Sequence, residues 1–220
     1  MAYTTINKST DYFNTKTYTG TGSSNAITGV GFQPDLLWIK SRSNPYSHSW
    51  TDAVRGKDNK IASNNTNAAY TDSGQLASFD SDGFTLNTDA GVNNNGSTFV
   101  SWNWKAGGAG SSNTDGTITS TVSANTTAGF SIVKWTGTAS AGTIGHGLGV
   151  APKVVLVKRY STSGGGWLMQ HGDLTGATYV VKLNATSVEE NDGANFNSAF
   201  PTSSVFSVYN SNNTNKIAPS

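Results

Sequence analysis

The sequence contains no cysteine and few charged residues. None of its 220 residues is Cys, and 12% are charged, about half the fraction that is usual in soluble domains. The lack of Cys excludes a disulfide framework and a thiolate metal site. The 14 Lys and Arg nearly balance the 13 Asp and Glu, which leaves a formal net charge of +1. Because no clustered basic field is present, we expect no nucleic acid partner.

Long apolar runs and helical periodicity are also missing. No run approaches the roughly 18 apolar residues of a membrane-spanning helix. Residues 1–6 (MAYTTI) show neither the basic nor the apolar region of an export signal. No segment repeats apolar residues with the period of roughly 3.6 that marks an amphipathic helix. We therefore expect an all-β chain that does not insert into a membrane.

The polar and aromatic residues that are present indicate packed β-structure. The chain has 25 Gly, which favour tight turns, and six Trp, eight Tyr and nine Phe, which argue for packed cores. Residues 36–39 (LLWI) and 154–157 (VVLV) are apolar on both faces and follow a proline, a pattern typical of central sandwich strands. Residues 98–105 (TFVSWNWK) alternate, with Trp102 and Trp104 on one face.

An internal repeat sets the fold class. Residues 16–21 (KTYTGT) return as 134–138 (KWTGT), and 27–40 (ITGVGFQPDLLWIK) return as 144–158 (IGHGLGVAPKVVLVK). A repeat of about 118 residues is too long for a solenoid and typical of a β-sandwich. The sequence therefore predicts two tandem antiparallel β-sandwich domains of the jelly-roll type.

The domain boundaries follow from composition. We expect the first sandwich at residues 1–106, a flexible Gly/Ser-rich linker at 107–116 and the second sandwich at 117–220. The later parts of the repeat are less regular, but residues 93–96 pair with 210–213.

The repeat also lacks one element. The strand expected at 98–105 has no counterpart in the second domain, so that domain is expected to lack its closing strand and to expose a sheet edge. Three explanations stay open: the chain is a fragment of a longer protein, another subunit fills the place, or the second domain has one strand fewer.

The residues that could carry catalysis or bind a metal do not form a recognisable pattern. His48, His146 and His171 do not correspond between the repeats, and no nucleophile elbow is present. The carboxylates of the first domain lie in turn-like contexts and Glu is scarce, so we expect no enzyme and no cofactor. The best metal candidate is a single Ca²⁺ site formed by three carboxylates, although an Asp-Gly hairpin explains the same residues more simply. These carboxylates are Asp80, Asp82 and Asp89.

Aromatic and basic residues are the candidates for recognition. The repeat matches Trp50 with Trp167, and both have polar neighbours, so they could stack on sugar rings or pack in a core or interface. Lys40 and Lys158 also correspond. Together with Arg159 they could contact a partner chain or act as solvated guards of a strand end.

Several motifs resemble those of a known group of proteins. These motifs are 17–22 (TYTGTG), 27–35 (ITGVGFQPD), 78–84 (SFDSDGF), 123–131 (SANTTAGFS) and 145–153 (GHGLGVAPK). They resemble uncharacterised tandem-repeat proteins of marine tailed bacteriophages, and the similarity covers almost the whole chain. The resemblance implies a virion structural component with concanavalin-like or laminin-G-like sandwich modules, and it supplies no catalytic residue.

These observations lead to one functional expectation and one alternative. We expect a non-enzymatic virion structural protein on the particle exterior, as a capsid decoration or a tail or fibre appendage that aids host adsorption. Its expected partners are other virion proteins, further copies of itself and a host surface glycan. The expected homo-oligomer is a trimer, as in many phage fibres and capsid decorations. The alternative is a carbohydrate-binding or glycan-cleaving module that uses surface Trp residues.

Overall fold

The structure, a computed structural model, describes residues 6–216. Strands dominate this range, which contains one 3-10 helix (Ser9–Asp11), one short α-helix, α1 (Ala90–Asn93), and eighteen strands. Pairs of these strands run antiparallel, and an isolated parallel bridge joins Ile118 to Ile144. The predicted all-β fold class is therefore confirmed.

The strands are short and follow one another in chain order. They are β1 (Phe13–Thr19), β2 (Asn25–Ile27), β3 (Leu36–Ser41), β4 (Ser49–Asp52), β5 (Asn59–Lys60), β6 (Tyr70–Thr71), β7 (Leu76–Asp80), β8 (Gly83–Leu86), β9 (Thr98–Trp104), β10 (Ser111–Asn113), β11 (Ser120–Asn125), β12 (Phe130–Trp135), β13 (Gly142–Gly145), β14 (Val154–Lys158), β15 (Trp167–His171), β16 (Tyr179–Lys182), β17 (Glu190–Asn191) and β18 (Val205–Val208).

The strands form several small sheets. Two sheets have four strands, in the orders β1-β9-β3-β4 and β14-β15-β16-β17. Two have three strands, in the orders β2-β8-β7 and β10-β11-β12, and the pairs β5-β6 and β13-β18 complete the set within residues 6–216.

The described chain divides into two compact units. The first unit comprises the residues up to 62 together with 70–110 and 123–132, and the second comprises 63–69, 111–122 and the residues from 133 onward. The segment 107–116, for which the composition favours a linker, contains the strand β10.

Each unit has its own apolar core, and five positions recur between the two. The first core contains Ile27, Leu37, Ile39, Leu76, Phe84, Leu86, Val92 and Phe99. The second contains Ile144, Val155, Val157, Leu168, Val180, Phe196, Phe206 and Val208. The recurring pairs are Ile27 with Ile144, Leu37 with Val155, Ile39 with Val157, Phe84 with Phe206, and Leu86 with Val208.

The strand register supports this correspondence. Ile27 lies opposite Phe84 in the β2–β8 pair, and Ile144 lies opposite Phe206 in the β13–β18 pair. Tyr18 meets Phe84 edge-on at 6.2 Å between ring centroids, and Trp135 meets Phe206 edge-on at 5.5 Å. Because strands and ring contacts agree, the repeat inferred from the sequence is a repeat of core geometry.

Strand β9 lies in the middle of the first unit's four-stranded sheet. It pairs with β1 on one side and with β3 on the other. Phe99, Ser101 and Asn103 are fully buried, while Trp102 and Trp104 are partly exposed. The predicted alternation of this segment is therefore confirmed.

A buried asparagine ties the loop after β1 to α1. The Asn93 side-chain oxygen accepts hydrogen bonds from the Thr21 backbone N–H (2.9 Å) and from the Asn25 amide (2.9 Å). Its own amide donates to the carbonyls of Ser23 and Asn87, both at 2.6 Å. All hydrogen-bonding positions of this buried amide are thus used.

The second unit builds the same junction with Asn215. Its side-chain oxygen accepts from the Thr138 backbone N–H (3.2 Å), and its amide donates to the Ser140 carbonyl (2.7 Å). Thr138 is the repeat partner of Thr21. The sequence-based pairing of residues 93–96 with 210–213 was therefore wrong, because the structure places Asn215 where Asn93 lies.

Candidate functional site

The first unit carries a cluster of tryptophans on the side of its sheet that faces away from the core. We call this cluster the aromatic face and define it as Trp38 from β3, Trp50 from β4, and Trp102 and Trp104 from β9. Trp38 lies at its centre, with ring centroids 5.0 Å from Trp50, 5.2 Å from Trp102 and 6.5 Å from Trp104.

Strand alternation and register explain why these rings meet. Trp38 lies opposite Trp50 in one strand pair and opposite Trp102 in the other. Side chains of directly opposed residues lie on the same face of a sheet, within reach of one another. Neighbouring Leu37 and Ile39 point to the opposite face and pack in the core.

Further aromatic groups border the aromatic face. The ring centroid of Phe13 lies 4.8 Å from that of Trp104. Phe130 stacks on Trp104 with ring centroids 6.2 Å apart. The Trp38 indole N–H donates to Nδ1 of His48 at 2.9 Å. Burial, and then the charge of Lys40, lower the pKa of His48, which favours the neutral ring that accepts this bond.

The chemistry of the aromatic face is that of a contact surface. Its four indoles are partly exposed and present polarisable ring area, which suits stacking on the apolar side of a sugar or packing against a protein partner. The plane of Trp38 is tilted by 50° against Trp102 and by 54° against Trp50, whereas it lies within 17° of the plane of Trp104. The surface is therefore uneven, and it is not a single flat platform.

Of the two tryptophans predicted to contact a ligand, only Trp50 belongs to this surface. Trp167 is 2% exposed, so its ring offers no face for stacking, and the prediction is not retained for this residue. The repeat match between the two was also wrong. Met169 lies opposite Leu156 in the second unit, where the first unit has Trp50 opposite Trp38.

Lys40 and Lys158, which correspond in the repeat, both donate hydrogen bonds to backbone carbonyls. Nζ of Lys40 donates to the carbonyls of Ser41 (2.7 Å) and Asn44 (3.2 Å). Nζ of Lys158 donates to the carbonyls of Gly165 (2.6 Å) and Thr66 (3.2 Å). Lys40 thus fastens the loop that follows β3, and Lys158 fastens both the loop that follows β14 and the segment at Thr66. These roles are available without a partner.

Arg159 extends the basic group at the end of β14. Its guanidinium donates to the Ser163 carbonyl at 2.9 Å. Burial, and then the charge of Arg159, lower the pKa of Lys158 to about 8. An acidic group on a partner chain would reduce the repulsion between these two cations.

The three carboxylates considered for Ca²⁺ do not form one site. Asp80 accepts from the hydroxyls of Ser78 (2.6 Å) and Thr85 (2.7 Å). Asp82 instead accepts backbone N–H groups, and Asp89 lies 3.9 Å from Nζ of Lys60. Within residues 6–216 no three potential metal ligands come together. The calcium hypothesis was therefore wrong.

The remaining histidines have local structural roles. His146 is buried, and its Nδ1 accepts the Leu148 N–H at 3.2 Å while Nε2 lies 3.2 Å from the Thr202 carbonyl oxygen. His171 accepts the Asp173 N–H at 3.1 Å. Neither is brought to a hydroxyl nucleophile in these contacts.

Sequence reasoning missed a buried ion pair beside the aromatic face. The carboxylate of Asp52 and the guanidinium of Arg55 are each 7% exposed, with Nε and Oδ2 at 2.6 Å. Arg55 also donates to the carbonyls of Trp50 (3.3 Å) and Asn59 (2.9 Å). The sequence signal that could have indicated this pair is the i, i+3 spacing of opposite charges at the end of a strand. The pair fixes the loop that follows Trp50.

Comparison with known proteins identifies a family. A family described as "Domain of unknown function (DUF7483)" matches residues 8–219. The chain belongs to this family. No curated protein and no solved structure matches it. Among residues 6–216, no helix is both long and apolar enough to span a membrane.

Proposed function

We propose that the protein is a non-enzymatic structural component of a bacteriophage particle exterior, as a capsid decoration or a tail or fibre appendage. The observation that carries the proposal is what the two units share. The five core pairs and the Asn93 and Asn215 junctions recur, whereas the histidines and most carboxylates do not. A scaffold used twice suits a structural module better than a duplicated active site.

Two tandem antiparallel sandwiches are part of this proposal. In the first unit, Leu37, Ile39 and Phe99 from one sheet face Phe84 and other residues from the β2-β8-β7 sheet in one core. In the second unit, residues of β14, β15 and β16 share a core with residues of β13 and β18. Cores formed between two sheets are the defining feature of a sandwich.

The surface composition also supports a particle exterior. Only 12% of residues are charged, and polarity comes from Ser, Thr and Asn, which gives a hydrated surface without a strong field toward either sign. The sequence motifs resemble those of phage tandem-repeat proteins, which is the source of the virion assignment.

The alternative function is glycan binding, and the aromatic face is the observation that favours it. Four partly exposed indoles in mutual contact provide the ring surface that sugar recognition uses. On a virion exterior, such a surface would serve host adsorption, so the two functions are compatible.

Quantitative mass spectrometry of purified particles tests the structural proposal. We expect the protein to copurify with intact phage particles at a fixed copy number, and a labelled antibody to decorate one location in electron micrographs. A protein that stays in the lysate, or whose amount per particle varies between preparations, would contradict the proposal.

A glycan array with matched variants tests the alternative. If the aromatic face binds sugar, Trp50→Ala and Trp102→Ala should lose binding while their circular dichroism spectra stay unchanged. Tyr70→Ala is the control, because Tyr70 is an exposed aromatic residue of the same unit outside this face. Equal binding by all three variants would exclude the aromatic face as the sugar site.

A further inference from the structure

The first unit shows what fills the centre of its main sheet. Strand β9 joins β1 to β3, and its Phe99 ring stacks on Tyr18 with centroids 5.2 Å apart and planes 12° apart. Phe99 is fully buried in the core. The strand therefore closes both the sheet and the core.

The second unit has the flanking parts without this centre. Strand β14 matches β3, since Val155 and Val157 occupy the core positions of Leu37 and Ile39. Trp135 matches Tyr18, because it packs on the second core and meets Phe206 edge-on. Within residues 6–216, however, β14 pairs with β15 and with no other strand.

A side chain of β14 is more exposed than its counterpart in β3, as expected for a strand that lacks a partner on one side. Leu36, at the start of β3, is 6% exposed, whereas its counterpart Val154, at the start of β14, is 45% exposed. The second unit also holds most of the exposed large apolar side chains of the described chain. These are Val150, Val154, Leu183, Val188, Phe200 and Tyr209. Of these, Val154 lies on the edge strand β14 itself, and an exposed apolar side chain on a free strand edge marks a binding surface.

The backbone groups that face this edge can be identified. In the first unit the Arg42 N–H donates to the Thr98 carbonyl, and the alternation of an antiparallel ladder then directs Leu36 and Trp38 toward β9. In the second unit the Gly172 N–H donates to the Lys153 carbonyl. By the same alternation, the backbone groups of Val154, Leu156 and Lys158 point away from β15.

Charge distinguishes the segment that fits this edge from a copy of β9. In the first unit, Asp35 precedes β3, and its backbone N–H donates to the carbonyl of Trp104, the residue before Lys105, at 2.8 Å. In the second unit the position of Asp35 is taken by Lys153, an exposed side chain whose Nζ lies 3.9 Å from Oδ1 of Asp173. A segment ending in Lys would bring two cations together there, whereas an acidic residue would complement Lys153.

We propose that the second unit has an open strand site along β14 that binds an extended segment of a separate polypeptide chain. The segment alternates like β9 and places an apolar ring on Trp135, and its one charged residue is an acidic residue opposite Lys153. Main-chain pairing with a sheet edge supplies the affinity, and the side-chain positions supply the specificity. The inference does not depend on a role in a virion.

Residue-resolved amide exchange on the full chain tests the site with synthetic peptides. The probes are a peptide of residues 98–105 and its Lys105→Glu variant. We expect the Val154 and Leu156 amides to exchange rapidly in the protein alone and to slow by roughly tenfold or more with saturating peptide. The Lys105→Glu peptide should bind about two- to fivefold more tightly, the range of an exposed ion pair.

The first unit and the peptide backbone provide matched controls. The amides of Leu36 and Trp38 should stay protected throughout, since β9 already covers them. A peptide that is N-methylated at Trp102 loses one edge-facing N–H and places a methyl group between the strands, so it should not protect Val154 or Leu156.

Three results would overturn the proposal. Slow exchange of Val154 and Leu156 in dilute protein alone would mean that the edge is not open. Peptide binding without their protection would place the peptide elsewhere. Protection that rises with protein concentration alone would assign the edge to a second copy of this chain instead of a separate partner.

Discussion

The side chains that define each unit at the residue scale are amides. Asn93 and Asn215 are both buried and connect a loop near the start of their unit to a segment near its end. An amide can donate twice and accept twice, so one side chain can hold several loop backbones in place. At these two junctions the chain uses neutral side chains where a more charged protein would use ion pairs.

Asn93→Ala and Asn215→Ala should each destabilise their unit by about 1–3 kcal/mol or more, because truncation leaves buried backbone groups without partners. Chemical denaturation followed by fluorescence measures the loss. Asn95→Ala is the matched control, since Asn95 is an exposed neighbour of Asn93, and it should change stability by less than about 0.5 kcal/mol.

Ala139 occupies a backbone conformation that the first unit assigns to glycine. Its φ is 55°, and its counterpart Gly22 has φ of 67°. Since a Cβ atom disfavours this conformation, Ala139→Gly should stabilise the second unit by about 0.5–1 kcal/mol, and Gly22→Ala should destabilise the first by about 1 kcal/mol. Thermal unfolding of both variants checks the opposite signs, and a loss of stability in Ala139→Gly would contradict the argument.

Asp82 should make the first unit sensitive to acid. The backbone N–H groups of Gly29 (2.9 Å) and Gly31 (2.6 Å) donate to its carboxylate and lower its pKa below the ordinary value of 3.8. Below that ordinary value the unfolded chain takes up the proton first, so stability is present above it and is lost as pH falls through the folded pKa.

The melting temperature should therefore fall less steeply with acid in Asp82→Asn than in the wild type, between neutral pH and about pH 2.5. Asp173→Asn controls for the removal of one surface carboxylate, because Asp173 lies exposed in the second unit. Identical acid profiles for the wild type and Asp82→Asn would contradict this role for the glycine contacts.

At the scale of elements, the sequence predicted the strands that carry apolar alternation. Residues around Leu37 and Val155 are apolar, follow a proline and form matching core strands. The same reasoning paired Trp50 with Trp167 and failed, because β15 begins at the position that corresponds to His48. A tryptophan in a polar segment gives no local signal of its register, which depends on the partner strand.

The candidate site was only partly predictable for a similar reason. The alternation of β9 correctly placed Trp102 and Trp104 on one face, but it did not show whether that face packs in the core. Their exposure depends on which side of the sheet receives the second layer. In this unit the second layer covers the side of the sheet on which Phe99 lies. The periodicity of a single strand does not show which of its two sides will be covered.

Phe99→Ala should show how much β9 contributes to the first unit. It removes a fully buried ring that stacks on Tyr18, so we expect a loss of about 3–5 kcal/mol. Val100→Ala, on the other face of the same strand and partly exposed, should cost clearly less. Equilibrium denaturation measures both, and equal losses would mean that β9 acts through backbone pairing alone.

At the scale of the whole molecule, two cores without a shared residue predict two cooperative transitions. Each unit has about a hundred residues, enough to unfold as a two-state domain. Differential scanning calorimetry should resolve two transitions, with Asn93→Ala lowering only one and Ala139→Gly raising only the other. If both variants shifted a single common transition, the cores would be energetically coupled, and neither unit could be treated as an independent module.

If the two transitions separate, the one at lower temperature should belong to the second unit, because no described strand covers its β14 edge as β9 covers β3 in the first unit. A strand peptide that fills this edge should then raise that transition alone, since binding to the folded state stabilises the unit that holds the site.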